Sequence, residues 1–123
     1  MKFAAIYVEP TKNDTIASVL FADPETNPDE PSVLVFSRAT EFADSSYYFE
    51  INDQSYGRYG GLKSVRLGRD GIKVCLEEGV VEEFANKDFA EVRVKFDIDD
   101  EMYEEVLEIL KDIFAGEEIF VVE

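Results

Sequence analysis

Over its first two thirds the chain is built of short apolar runs separated by turn residues. Near its end a stripe of apolar residues recurs every three or four positions. Runs rich in Val, Ile, Phe and Tyr predict strands over 2–9 and 15–22, joined by a turn over 10–14. Both runs put apolar groups at alternate and intervening positions, as in Ile16, Val19, Leu20 and Phe21, which predicts mid-sheet strands with both faces partly covered. Residues 23–31, DPETNPDEP, combine prolines with carboxylates and predict an exposed loop.

A third strand is expected over 32–38. In a fourth, over 46–52, Tyr47, Phe49 and Ile51 alternate with Tyr48, Glu50 and Asn52, so one side meets the core and the other water. QSYGRYGG, over 54–61, predicts a bend or bulge. Strands over 62–67 and 72–76 flank Asp70-Gly71, a hairpin signal. Residues 77–86 fit either a helical turn or a loop. Ala90, Val92, Val94 and Phe96 alternate with Glu91, Arg93 and Lys95 as a half-buried strand, and 118–123 form a last short one.

A helix is predicted after Asp97, with Asp99 as its cap. Met102, Val106, Ile109, Leu110 and Ile113 form one stripe, and Gly116 is the stop. The expected fold is α+β: a mainly antiparallel, curved β-sheet with one C-terminal amphipathic helix packed on one face, in a single domain over 1–123.

Composition narrows the chemistry. At 46% hydrophobic, 123 residues bury a core without disulfide staples, and the lone Cys75 cannot pair within the chain, which fits a reducing compartment. With no histidine there is no Ser/His/Asp or Cys/His nucleophile and no ordinary zinc site. The 28 acids against 12 bases leave a formal charge of -16, which repels bare nucleic acid and anionic membrane and attracts basic proteins. The opening MKFAAIYVEP meets Glu9 and Pro10 too soon for a signal peptide, and no run reaches the roughly 20 apolar residues of a membrane span. A soluble, cytoplasmic protein is expected.

The predicted helix carries Glu101, Glu104, Glu105, Glu108 and Asp112 on its solvent side. The pairs Glu101/Glu105, Glu104/Glu108 and Glu108/Asp112 repel at i,i+4, each by roughly 0.2–0.5 kcal/mol. Such a face serves a basic partner, or it is plain hydration. Asp97, Asp99, Asp100 and Glu101 lack the spacing of a calcium loop, and helix capping accounts for them more simply. Tyr48, Glu50, Tyr56 and Tyr59 form either an aromatic and acidic binding patch or core packing, with Tyr48 outward by parity with Glu50. Cys75 has Lys73 and Glu77 as neighbours on its face but no histidine to complete a nucleophile pair. Gly57, Gly60 and Gly61 match no phosphate-binding fingerprint. No cofactor or metal is expected, and the partner-binding candidates are Tyr48, Glu50, Glu101, Glu104, Glu105, Glu108 and Asp112.

Residues 48–53, then Tyr59-Gly60-Gly61, then a strand, a hairpin and a C-terminal helix with a short apolar tail together resemble the immunity protein 10 family. That resemblance implies a small, mainly β protein encoded beside a bacterial polymorphic toxin, often a nuclease, which it neutralises by binding. It gives Tyr59, Gly60 and Gly61 a structural role. The acidity suits a partner with a basic nucleic-acid groove. Two other functions compete: an acidic adaptor or secretion chaperone for a basic effector, and a magnesium-dependent hydrolase using Asp99 and Glu101.

Overall fold

The computed structural model describes residues 1–42 and 44–123. In chain order its elements are β1 (Lys2–Ala4), β2 (Tyr7–Lys12), β3 (Ile16–Asp23), β4 (Ser32–Ala39), β5 (Tyr48–Ile51), β6 (Asp53–Tyr59), β7 (Leu62–Gly68), β8 (Gly71–Leu76), α1 (Glu78–Phe84), a 3₁₀ turn (Lys87–Ala90), β9 (Glu91–Lys95), α2 (Asp100–Ile113) and β10 (Phe120–Val122). The fold is α+β, with two five-stranded sheets where one was expected: β1-β9-β8-β7-β10 and β2-β3-β4-β5-β6. Pairing is antiparallel except for β1 with β9 and β10 with β7.

The expected first strand is in fact two, because the chain leaves one sheet at Ala4 and enters the other at Tyr7. Pro10 belongs to β2, opposite Val19, and not to a turn. An edge strand tolerates its missing N–H. The turn lies at Asn13, whose Oδ1 accepts from the Thr15 and Ile16 amides at 2.9 and 3.0 Å. Residues 53–59 are strand, with the register shift one step earlier between Glu50 and Ile51; the bend is at Gly60 and Gly61, with φ of 70° and 90°. A Cβ on Gly61 would stand 2.7 Å from Val80 Cγ2, so the missing side chain lets α1 close over the bend. Among the described residues the C-terminal helix is thus one of two α-helices, the other arising from the segment that fitted helix or loop equally.

Inward residues of both sheets share one core. Val19, Phe21, Leu34, Phe36, Phe49 and Ile51 come from one sheet, and Val65, Leu67, Val74 and Val92 from the other. α2 lies along β2, β3 and β4 and buries Val106, Leu110 and Ile113 completely, with Met102 and Ile109 half-buried beside them. Each fully buried side chain of this kind stabilises the fold by about 1.5–3 kcal/mol. Two arginines hold the helix by its ends. Arg69 reaches the Ile98 carbonyl and Asp100 Oδ1, both at 2.8 Å, and Arg38 donates to the carbonyls of Ile113 and Ala115 at 3.1 and 2.8 Å.

Candidate functional site

Asp99 caps α2 as expected, its Oδ1 accepting from the Met102 amide at 2.8 Å. That start sets the phase of the helix and leaves Glu101, Glu104, Glu105, Glu108 and Asp112 exposed. Asp112 pairs with Lys12 on β2, and Glu108 with Lys111 at 3.7 Å. Among the described residues, Glu101, Glu104 and Glu105 have no cation within ion-pair distance. Glu101, Glu104, Glu105 and Glu108 border a shallow groove of about 570 Å³, with Lys12 at its edge and Ile109 in its lining. This arrangement attracts cations at long range and offers an apolar strip on contact.

Tyr48 and Glu50 lie together on the outward side of the second sheet. The Tyr48 hydroxyl donates to Glu50 Oε1 at 2.9 Å, and its ring meets that of Tyr59 at 5.1 Å. Partial burial, then the bond to Glu50, raises the Tyr48 pKa above the ordinary phenol value, so it stays a donor at neutral pH. Both side chains are half-buried, while Tyr59 is 69% exposed. Tyr56 leaves the expected patch: it packs edge-on against Phe84 and Phe89.

The seven partner-binding candidates therefore form two patches, not one. α2 covers the sheet face that carries Ala17, Val19 and Phe36, where Phe36 meets Phe114 at 5.4 Å, and Tyr48 and Glu50 occupy the other face. That other face reads in register across five strands. One row is Thr11, Ser18, Ser37, Tyr48, Tyr59; the next is Glu9, Leu20, Val35, Glu50, Gly57. Ile16, Leu20, Val33 and Val35 stand outside the core cluster; Ile16 is exposed and the other three are half-buried. The expectation that the second strand lies mid-sheet with both faces partly covered holds: one face of β3 meets the core, and its outward residues Ser18 and Leu20 are half-buried; the first run, expected mid-sheet as well, supplies the edge strands β1 and β2. The signal in β3 was present as apolar residues at intervening positions.

Charge is segregated as well. The outward side of the first sheet aligns Lys2, Arg93, Lys73 and Arg66 in one row over four strands, with Lys95 next to it. Glu91 meets Lys73 at 2.9 Å and Arg93 at 3.2 Å, and these cations, Lys73 foremost, hold its carboxyl below the usual glutamate value.

Of the residues weighed for metal chemistry, Asp99 is the helix cap and Asp100 is held by Arg69. Among the described residues no group of three or more His, Cys, Asp or Glu is placed to hold a metal ion, and no helix is long and apolar enough to cross a membrane. Cys75 is a free, half-buried thiol.

Among known protein families, the model of the one described as Immunity protein 10 matches residues 2–104. No curated protein and no solved structure matches the chain.

Proposed function

The chain belongs to the immunity protein 10 family, and from that premise we propose that it neutralises a cognate toxin by one-to-one binding in the cytoplasm, the toxin being a nuclease with a basic substrate groove. The observation that supports this reading is the run of carboxylates on α2 that have no ion-pair partner among the described residues, Glu101, Glu104 and Glu105, extended by Glu108 and Asp112. A nuclease groove is lined with lysine and arginine to hold phosphates, and carboxylates on α2 attract such a surface from a distance. Binding relieves repulsion between neighbouring acids, which amounts to roughly 0.2–0.5 kcal/mol per i,i+4 pair. Its larger effect is on encounter, because opposite fields raise the association rate by about 10–10³ and do so less at high salt.

No step of chemistry is assigned to the chain itself; it acts by occupying the toxin. Tyr48 and Glu50 supply a second, partly desolvated contact of the kind that sets the lifetime of a complex. The test is co-expression with the toxin encoded beside its gene. An inhibitor restores growth and purifies with the toxin in equal amounts. A chain that purifies with the toxin while the cells still die is a carrier, and the inhibitor reading fails.

A further inference from the structure

We infer that the outward face of the second sheet, centred on Leu20, Val35 and Tyr48, is the surface on which the basic toxin locks; this rests on the reading of the chain as a toxin neutraliser. The two sheets make the case by contrast. Both bury one side in the shared core, but the first turns Lys2, Arg93, Lys73 and Arg66 to solvent, whereas the central strands of the second turn out Ser18, Leu20, Val33, Val35 and Ser37. A sheet face meant only for water alternates to polar residues. Here the apolar positions continue outward, flanked by Tyr7 at 49%, Ile16 at 37%, Phe42 at 60% and Tyr59 at 69% exposure. The central Leu20, Val33 and Val35 are half-buried and these flanking residues exposed, and apolar surface gathered outside a core in this way marks an interaction site.

Size and shape agree. Five strands spaced about 4.8 Å apart and up to eight residues long make a face on the order of 500 Å² in projection, most of the roughly 800 Å² that one partner contributes to a stable complex. At one end Ile16, Ala39, Phe42, Tyr48 and Tyr59 line a hollow of about 440 Å³, room for a large side chain of the partner.

Charge selects the occupant. Among the described residues, the charged side chains in these rows are carboxylates, Glu9 and Glu50. A second copy of the chain would set them against their own kind between two bodies each of formal charge -16. A basic protein with an apolar centre and arginine or lysine at its rim meets them favourably. Tyr48 already holds the Glu50 carboxylate, so an incoming guanidinium finds an ordered acceptor.

The experiment measures binding of the full chain to the purified toxin domain encoded beside its gene, with kinetics resolved, for the wild type, Val35→Arg, Tyr59→Ala and the double variant Glu104→Lys with Glu108→Lys. Val35→Arg sets a cation opposite Glu50 without entering the core, and Tyr59→Ala removes a side chain that is mostly in water; circular dichroism verifies the fold of each. Expected are a 100-fold or greater loss of affinity for Val35→Arg and a tenfold or greater loss for Tyr59→Ala, both through faster dissociation, while the helix variant slows association. Binding of both face variants within threefold of wild type overturns the inference and leaves toxin neutralisation standing. A wild type that elutes as a dimer, and becomes monomeric with Val35→Arg, assigns the face to a second copy and overturns it too. A wild type that does not bind the toxin removes the neutraliser reading itself, and the inference with it.

Discussion

Tyr48 lies across Gly57, on the neighbouring strand, and reaches Glu50 because residue 57 has no side chain: a Cβ there would overlap the Tyr48 hydroxyl. Gly57→Ala therefore forces the ring aside and breaks the bond to Glu50. A stability loss of about 1 kcal/mol is expected, the usual net worth of one hydrogen bond. The near-ultraviolet circular dichroism of the tyrosines should change with it. An unchanged spectrum and an unchanged urea midpoint would refute this account of the glycine.

Arg38 ties β4 to the end of α2, donating to the carbonyls of Ile113 and Ala115. These oxygens are among those a helix leaves without partners, and a cation suits the negative end of the dipole. Arg38→Ala should cost about 2 kcal/mol, the range of a hydrogen bond from a charged donor. Equilibrium denaturation measures it, and Arg38→Lys, which keeps the charge but loses the Nε bond to the Ser45 hydroxyl, should recover only part of the loss.

Glu104→Lys together with Glu108→Lys removes two of the unneutralised or weakly paired acids on α2. Association with the toxin should slow by about tenfold or more at low salt, with dissociation nearly unchanged. In stopped-flow measurements the wild-type rate should fall steeply with added salt and that of the variant less so. Equal slopes would show that the helix face takes no part in steering.

Asp23 closes the β3 end of the acidic loop, accepting from the Glu25 and Thr26 amides at 3.1 Å and from the Thr26 hydroxyl. The Thr26 hydroxyl bond, foremost among these contacts, lowers its pKa from the ordinary 3.8. A lowered native pKa stabilises the fold above the unfolded value, and that contribution is lost as pH falls through the native one. The melting-temperature gap between wild type and Asp23→Asn should thus be full at pH 7 and close as pH drops below about 3.8. A gap that is constant with pH would mean the carboxylate is not ionised in this role.

Where side chains alternate or a stripe repeats, the sequence was enough. Asp99 as cap and the buried Val106, Leu110 and Ile113 follow from local chemistry alone; the hairpin was found but one residue late, because its turn is Arg69-Asp70 and Gly71 already pairs with Gly68 as the start of β8. The split at Ala5 and Ile6 did not, because both halves are apolar and only long-range pairing, of Phe3 with Val94 and of Val8 with Phe21, tells them apart. Tyr48 and Glu50 were placed outward by parity. That α2 lies on the opposite side of their sheet depends on which face collects Phe36 and Phe114, a tertiary choice with no local mark. The membership of Ile16, Leu20 and Val35 in one outward face was legible as composition, yet a strand bare on one side and a strand buried on both read alike until the partners are known.

The row of Lys2, Arg93, Lys73 and Arg66 gives the molecule a direction. Five of the twelve bases stand on that one face, counting Lys95 beside the row, so positive charge is weighted to one side of the core and the charge distribution is uneven as well as negative in sum. In the field of a cationic body the molecule experiences a torque before any contact, turning its lysines and arginines to the rear. A collision that would otherwise sample all orientations is biased toward those that lead with carboxylates, so the charge pattern acts as a rudder.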